Sequence, residues 1–263
     1  LTLANFEGNF DSAPYGRDLA SYPDALAKTL SAAGIDLLQT ANTFSIFNGM
    51  AGMERTTSVI EAQGMTAFGT YVSAADRESN QVIVREINGI RIAFVAFTKG
   101  LGGMGLPTGS EYCVNLLYTD YTSNYEVIDY DGIRAVMKAA RGTNPDLIVA
   151  ALHWGSENTR DVSKSQESIA NLLIDCGADL ILGSHSHLAA PIEERAVRMD
   201  NGEDKTVVIA YGLGDLSAVD EGGSTVGVML DLEITKDSSG SVVLDPTGTA
   251  SRQEAMTMFL RAF

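Results

Sequence analysis

Short apolar segments of strand length alternate with amphipathic segments of helical period along most of this chain, and that alternation constrains the fold more than any single residue. It implies an α/β architecture in which crossover helices cover a sheet. Ser21-Tyr22-Pro23-Asp24 supplies a capping residue, a proline and a first-turn acid. Ala25, Leu26, Leu30 and Ala33 follow at helical spacing, and Gly34 stops the run. A buried strand is expected over 37–41, a helix over 53–63 closed by Gly64, and a short strand over 65–69. Residues 81–87 and 90–97 alternate on either side of Asn88-Gly89, a two-residue hairpin signal, so the sheet should be mixed. The glycine-rich stretch 98–120 reads as a long loop, which either borders a site or is merely mobile. Beyond it the pattern predicts a helix over 131–141, a strand over 146–152, a helix over 163–176 capped by Gly177, and strands over 180–182, 206–211, 226–234 and 241–244. Asn201-Gly202 and Ser239-Gly240 read as turns.

With 263 residues and 45% hydrophobic side chains, the chain can bury a substantial core, and one domain is the expectation. Eighteen basic residues against 34 acidic ones leave a net charge of −16, which repels phosphate backbones and anionic lipid surfaces and argues against nucleic-acid or membrane-surface partners. Cys113 and Cys176 stand far apart outside any zinc-ribbon spacing and predict no disulfide framework. No apolar run reaches the ~20 residues of a bilayer span. Leu1-Thr2-Leu3-Ala4 already reads as strand, so sequence upstream of residue 1 is expected, with a removed export signal as one alternative for it.

Chemistry concentrates at strand ends. The chain has three histidines. His153 closes the apolar run Leu147-Ile148-Val149-Ala150-Ala151-Leu152 and precedes the single tryptophan, Trp154. Ligands of open α/β sheets bind outside the carboxyl ends of strands, where this imidazole emerges. His185 and His187 follow the strand ending at Leu182-Gly183. In extended backbone, residues two apart project to the same side, so both rings can face one point, and Gly183 permits a close backbone approach. Taken alone, that pair is either a metal-binding pair or two polar loop residues. Glu7 ends the apolar stretch Leu3-Ala4-Asn5-Phe6, and a carboxylate complements imidazoles around a divalent cation. Asn42, at another strand end, is a ligand amide or a turn-forming asparagine. Glu157 is a partner of His153 or a surface acid. Tyr211-Gly212-Leu213-Gly214-Asp215 is a glycine-rich turn without a phosphate-loop lysine and implies no nucleotide cofactor.

Asn5-Phe6-Glu7-Gly8, Ala41-Asn42-Thr43-Phe44, His153-Trp154-Gly155-Ser156-Glu157, the Gly177-Ala178-Asp179 lead into Gly183-Ser184-His185-Ser186-His187, and Tyr211-Gly212-Leu213-Gly214-Asp215 resemble, in order and rough spacing, the CapA-type capsule (poly-γ-glutamate) synthesis proteins. That family is similar to the calcineurin-like metallophosphoesterases. The resemblance covers residue 1 to about residue 235 and implies a four-layer α/β/β/α sandwich with mixed sheets and a metal centre at the strand ends. Carried over, Glu7 would bridge two metals, His153 and His185 would bind one, and His187 the other, giving Glu7, Asn42, His153, His185 and His187 as the metal set, with His153 and His185 also in the catalytic role. The implied cofactor is one or two divalent ions, zinc or manganese. The family's usual ANNH motif reads Ala41-Asn42-Thr43-Phe44 here, so a ligand asparagine appears as Thr43 and an assisting histidine as Phe44; SLGNF reads Gly212-Leu213-Gly214-Asp215-Leu216.

Two functions follow. One is a cell-envelope or extracellular protein of capsule polymer synthesis or anchoring that keeps a degenerate metal site; Phe44 favours it. The other is a metal-dependent hydrolase of a phosphoester small molecule or of the γ-glutamyl polymer, with the same residues as ligands.

Overall fold

A computed structural model of the chain describes residues 1–13, 20–198, 202, 204–216, 227–236, 242–250 and 260–262. The first third builds β1 (Leu3–Asn5), β2 (Asn9–Phe10), β3 (Ser21–Tyr22), α1 (Asp24–Ala32), β4 (Leu37–Gln39), α2 (Gly49–Ala62) and β5 (Thr66–Phe68). Strands β1, β4 and β5 form a parallel three-stranded sheet in that order, and β2 pairs with β3. The middle of the chain adds α3 (Ala74–Asn80), β6 (Ile83–Ile87), β7 (Ile90–Thr98), α4 (Tyr130–Gly142), β8 (Leu147–His153), α5 (Lys164–Asp175), β9 (Leu180–Ser184), β10 (Ile192–Arg198) and β11 (Asp204–Ala210). These strands make a six-stranded mixed sheet ordered β10-β11-β9-β8-β7-β6. A last sheet joins β12 (Met229–Lys236), β13 (Val242–Ala250) and β14 (Leu260–Ala262).

Period-two alternation sorts each strand's side chains into layers. Ile92, Phe94 and Ala96 of β7, Val149 and Ala151 of β8 and Leu182 of β9 face an inner core shared with Leu3, Leu37 and Phe68 of the smaller sheet. Phe68 meets Phe94 edge-on with ring centroids 6.4 Å apart. The intervening residues Ala93, Val95, Phe97, Ile148, Ala150 and Leu152 pack instead on Ile133, Val136 and Met137 of α4 and Ile169 and Leu173 of α5. On the far side of the small sheet, Leu38 packs with Ala27 of α1 and Ile60 of α2. The result is the four-layer α/β/β/α sandwich. A fully buried side chain of this kind contributes about 1.5–3 kcal/mol. An exposed ion pair such as Arg198–Asp204 contributes about 0–1 kcal/mol, so burial decides the layering.

Several expected elements differ. Ser21 does not cap α1: it pairs with Asn9 in the β2–β3 bridge, and Pro23 occupies the cap position without a side-chain hydrogen bond. Helix α2 begins at Gly49, four residues before its first fully buried residue, Met53. Helix α3, capped by Ser73 accepting from the Asp76 backbone, and strand β10 have no apolar period and escape sequence reading. The hairpin at Asn88-Gly89 holds, both residues lying at positive φ. Asn201, Val226, Ser239, Gly240 and Ser241 lie outside the described residues.

What matters for a site is register. In the parallel β7–β8–β9 ladder, Thr98 stands opposite His153 and His153 opposite Ser184, so three strand ends are level. Strands β1 and β4 are likewise level at Asn5 and Gln39, and their trailing loops carry Glu7 and Asn42.

Candidate metal centre

His153 is the final residue of β8 and wholly buried. Its Nδ1 lies 3.1 Å from Ser184 Oγ, which donates onward to Leu152 O. Its Nε2 lies 2.9 Å from Thr43 Oγ1 and 3.2 Å from Glu7 Oε1. Packing beside it is tight. Trp154 stacks on Tyr211 at 5.6 Å and donates to the Tyr211 carbonyl. A Cβ at Gly183 would stand 2.3 Å from that carbonyl oxygen and 2.4 Å from the indole nitrogen, which is why β9 needs glycine there.

The two histidines after β9 converge by a different route from the one expected. The backbone is not extended: His185 has φ 96° and His187 φ 57°, left-handed conformations that cost a non-glycine residue about 1–3 kcal/mol and mark sites where geometry is held for function. This turn sets the His185 ring 4.5 Å from that of His153, centroid to centroid, and 6.3 Å from that of His187. Ligand atoms of Glu7, His153 and His185 all lie within 4.8 Å of one another. His187 stands apart from that trio; its Nδ1 is 3.0 Å from Asp215 Oδ2.

Electrostatics separate the two sides. Burial, then the neighbouring His153 and Lys99, push His185 down to about 3, so its imidazole is neutral and able to ligate at ordinary pH. The hydrogen bond to Asp215 raises His187 to about 9, against its partial burial. Burial opposes ionisation of Glu7, but charge and hydrogen bonding from His153 outweigh it and hold the carboxyl below its ordinary range. His185 Nδ1 is buried and finds no hydrogen-bond partner among the described residues. An orphaned buried nitrogen costs about 1–3 kcal/mol, and a cation would remove that cost. The donor set of one carboxylate and two imidazoles suits zinc or manganese.

Asn42 lies beside this trio with its amide engaged elsewhere. Its Oδ1 accepts from Phe44 N at 3.0 Å and its Nδ2 donates to Phe6 O at 2.7 Å, tying the β4 loop to the β1 loop. Phe44 packs edge-on against Phe47. Glu157 is exposed. Sequence reasoning misses the partners Ser184 and Asp215. Ser184 is discoverable from the strand register opposite His153; Asp215, 28 positions from His187, has only its glycine-rich turn as a signal.

These features define a layered α/β protein with a carboxylate–imidazole cluster at the strand ends. Residues 1–219 match the family model described as bacterial capsule synthesis protein PGA_cap, and the chain belongs to that family. It is 25% identical over 221 residues to the PGA biosynthesis protein CapA of Bacillus subtilis (strain 168), covering 83% of this chain and 52% of that protein. It is 23% identical over 253 residues to the capsule biosynthesis protein CapA of Bacillus anthracis, covering 90% and 56%. The chain thus spans about half the length of the curated relatives it matches. Among solved structures it is similar to a putative 5'-nucleotidase from Staphylococcus aureus, with TM-score 0.42, 10% identity and coverage of 75% of this chain and 42% of that one. A hypothetical protein from Thermus thermophilus gives TM-score 0.39, 14% identity and coverage of 70% and 56%.

Proposed function

We propose that this chain is a metal-binding domain acting in capsule polymer (poly-γ-glutamate) synthesis or anchoring at the cell envelope, with a site reduced to one strong metal position. The observation that carries the reading is the Glu7, His153 and His185 trio in a chain of the capsule synthesis family. The continuous inner core, which also takes in Leu230, Leu232 and Ile234 of β12, supports reading residues 1–263 as one domain. No helix among the described residues is long and apolar enough to cross a membrane. The capsule polymer, or a phosphoester small molecule, is the partner the family suggests.

Glu7, His153 and His185 would hold a divalent ion here, and when bound it would supply Lewis-acid polarisation of a phosphoryl or carbonyl oxygen and of water. The chain's own residues do the rest. Ser184 fixes the His153 ring, and Asp215 orients His187 by the carboxylate–histidine pairing that commonly supports metal ligands. Thr43 offers its hydroxyl to the same His153 nitrogen that faces Glu7 and so competes with a cation for it. Phe44 has no proton to give, and loss of a general acid costs about 10²–10⁴-fold in rate, so hydrolysis should be weak or absent.

Metal analysis paired with phosphodiesterase and phosphomonoesterase assays tests this. One tightly bound equivalent of zinc or manganese is expected, lost in His153→Ala or His185→Ala and only weakened in His187→Ala. Two tight equivalents would contradict the single strong position. None at saturating metal would leave a purely structural role, and turnover typical of phosphodiesterases would assign the site to catalysis.

A further inference from the structure

A pocket of about 260 Å³ opens beside the metal trio, lined by Thr43, Lys99, Gly100, Tyr125, Glu157 and His185 among others. It is smaller than the roughly 300–1,000 Å³ of drug-sized ligand sites and suits one charged group on a short stem. Lys99 follows directly on β7, one residue past Thr98, which stands opposite His153, and its backbone N–H donates to the His153 carbonyl at 2.7 Å. Its ammonium donates to Gly155 O at 2.6 Å and lies 4.5 Å from the centroid of the Tyr125 ring. Both contacts fix the charge in place, and an ammonium has three protons, so donor capacity remains.

The floor of the pocket is built around that arrangement. Tyr125 adopts φ 56°, an unusual conformation for a bulky residue. A Cβ at Gly100 would stand 2.6 Å from the Tyr125 ring and 2.8 Å from Tyr121 O, so only glycine lets the ring reach under the lysine. Burial also lowers the Lys99 ammonium from its usual range, while Glu157 acts in the opposite direction. A partly desolvated cation held beside a cation-binding trio is rare in a chain of net charge −16, whose field alone would turn anions away.

We infer that Lys99, supported by Tyr125, forms an anion subsite that receives a carboxylate or phosphate of the ligand next to the metal trio, with Glu157 at its rim as a brake on anion affinity. The subsite deepens the functional reading above but needs no metal to be detected. Its test uses the full chain stripped of metal by chelation. Inorganic phosphate and N-acetylglutamate are titrated separately by calorimetry, to tell a phosphoryl from a carboxylate ligand. Wild type should bind one of the two, Lys99→Met should bind it about 10-fold or more weaker, and Glu157→Gln should bind it several-fold tighter, because a charge-assisted hydrogen bond of about 1.5–3 kcal/mol spans about 10–150-fold in affinity. Zinc and manganese stoichiometry is read on the same variants. Lys99→Met that keeps its metal but loses the anion supports the subsite even if the metal centre turns out not to be catalytic. Binding of neither anion by wild type, equal binding by Lys99→Met, or an affinity unmoved by Glu157→Gln would overturn it. Metal lost in Lys99→Met would overturn it too, by showing that the lysine serves only to hold His153.

Discussion

Thr43 and Phe44 occupy the turn where the family resemblance places an asparagine and a histidine, and the structure sets Thr43 against His153 while Phe44 faces Phe47. Restoring both, with Thr43→Asn and Phe44→His, should raise hydrolysis of a nitrophenyl phosphodiester by at most about 10²–10⁴-fold, the range of general acid assistance. No gain in a metal-loaded double variant would show that the missing acid is not what limits the site. Gly183 predicts a different failure. A Cβ there meets backbone and indole at distances that real contacts do not show, so Gly183→Ala must displace Trp154 or Tyr211. Overpacking of that kind costs about 1–3 kcal/mol, and the urea midpoint followed by fluorescence of the single tryptophan should fall accordingly. The identities of the trio are legible in the sequence because His153 ends an apolar strand and Glu7 and His185 follow within two residues of one. The pairing of His187 with Asp215 is not, since no local pattern reports which of two loops turns toward the other. Nor is the left-handed backbone that aims His185.

Elements buried on both faces are the most readable. Strands β7 and β8 are near-continuous apolar runs because helices cover one side and a second sheet the other. Strand β10, Ile-Glu-Glu-Arg-Ala-Val-Arg, is an edge whose residues are half-exposed or exposed, none of them buried, so its identity comes from pairing with β11 and not from hydrophobic period. The β2–β3 bridge, short and long-range, reads in sequence as a helix start for the same reason. Asp146 illustrates a tie between elements with a testable pH dependence. It accepts from the Arg91 backbone at 2.7 Å and from Lys236 at 3.0 Å, joining β7, β8 and β12. The Arg91 bond chiefly holds its carboxyl below the ordinary range. A depressed acid pKa stabilises the fold above the unfolded value of about 3.9 and loses that effect as pH falls through the folded value. Asp146→Asn should therefore lower stability by about 0.5–1 kcal/mol at pH 7 and by progressively less below about pH 4, measured as urea midpoints. A difference that persists unchanged in acid would mean the carboxylate charge is irrelevant.

At the scale of the molecule, a net charge of −16 surrounds a centre read as binding a cation and a pocket read as admitting anions. Added salt should then act oppositely on the two, weakening manganese binding while strengthening capture of the anion, because screening reduces both the attraction and the repulsion of the whole surface. Titrations at about 10 and 150 mM salt, where the screening length falls from about 30 to 8 Å, would reveal it. Parallel salt trends for both ligands would point to local charges alone. The layering has one further consequence. Glu7 hangs from the three-stranded sheet, whereas His153 and His185 belong to the six-stranded one. An ion gripped by all three would rivet two sheets that otherwise meet mainly through apolar side chains, with a polar tie from Arg85 of β6 to Thr66 of β5. Amides of β1 and β4, the short strands that lead into the Glu7 and Asn42 loops, should exchange with deuterium measurably more slowly once the rivet is in place, and Glu7→Gln should return them to the metal-free rate.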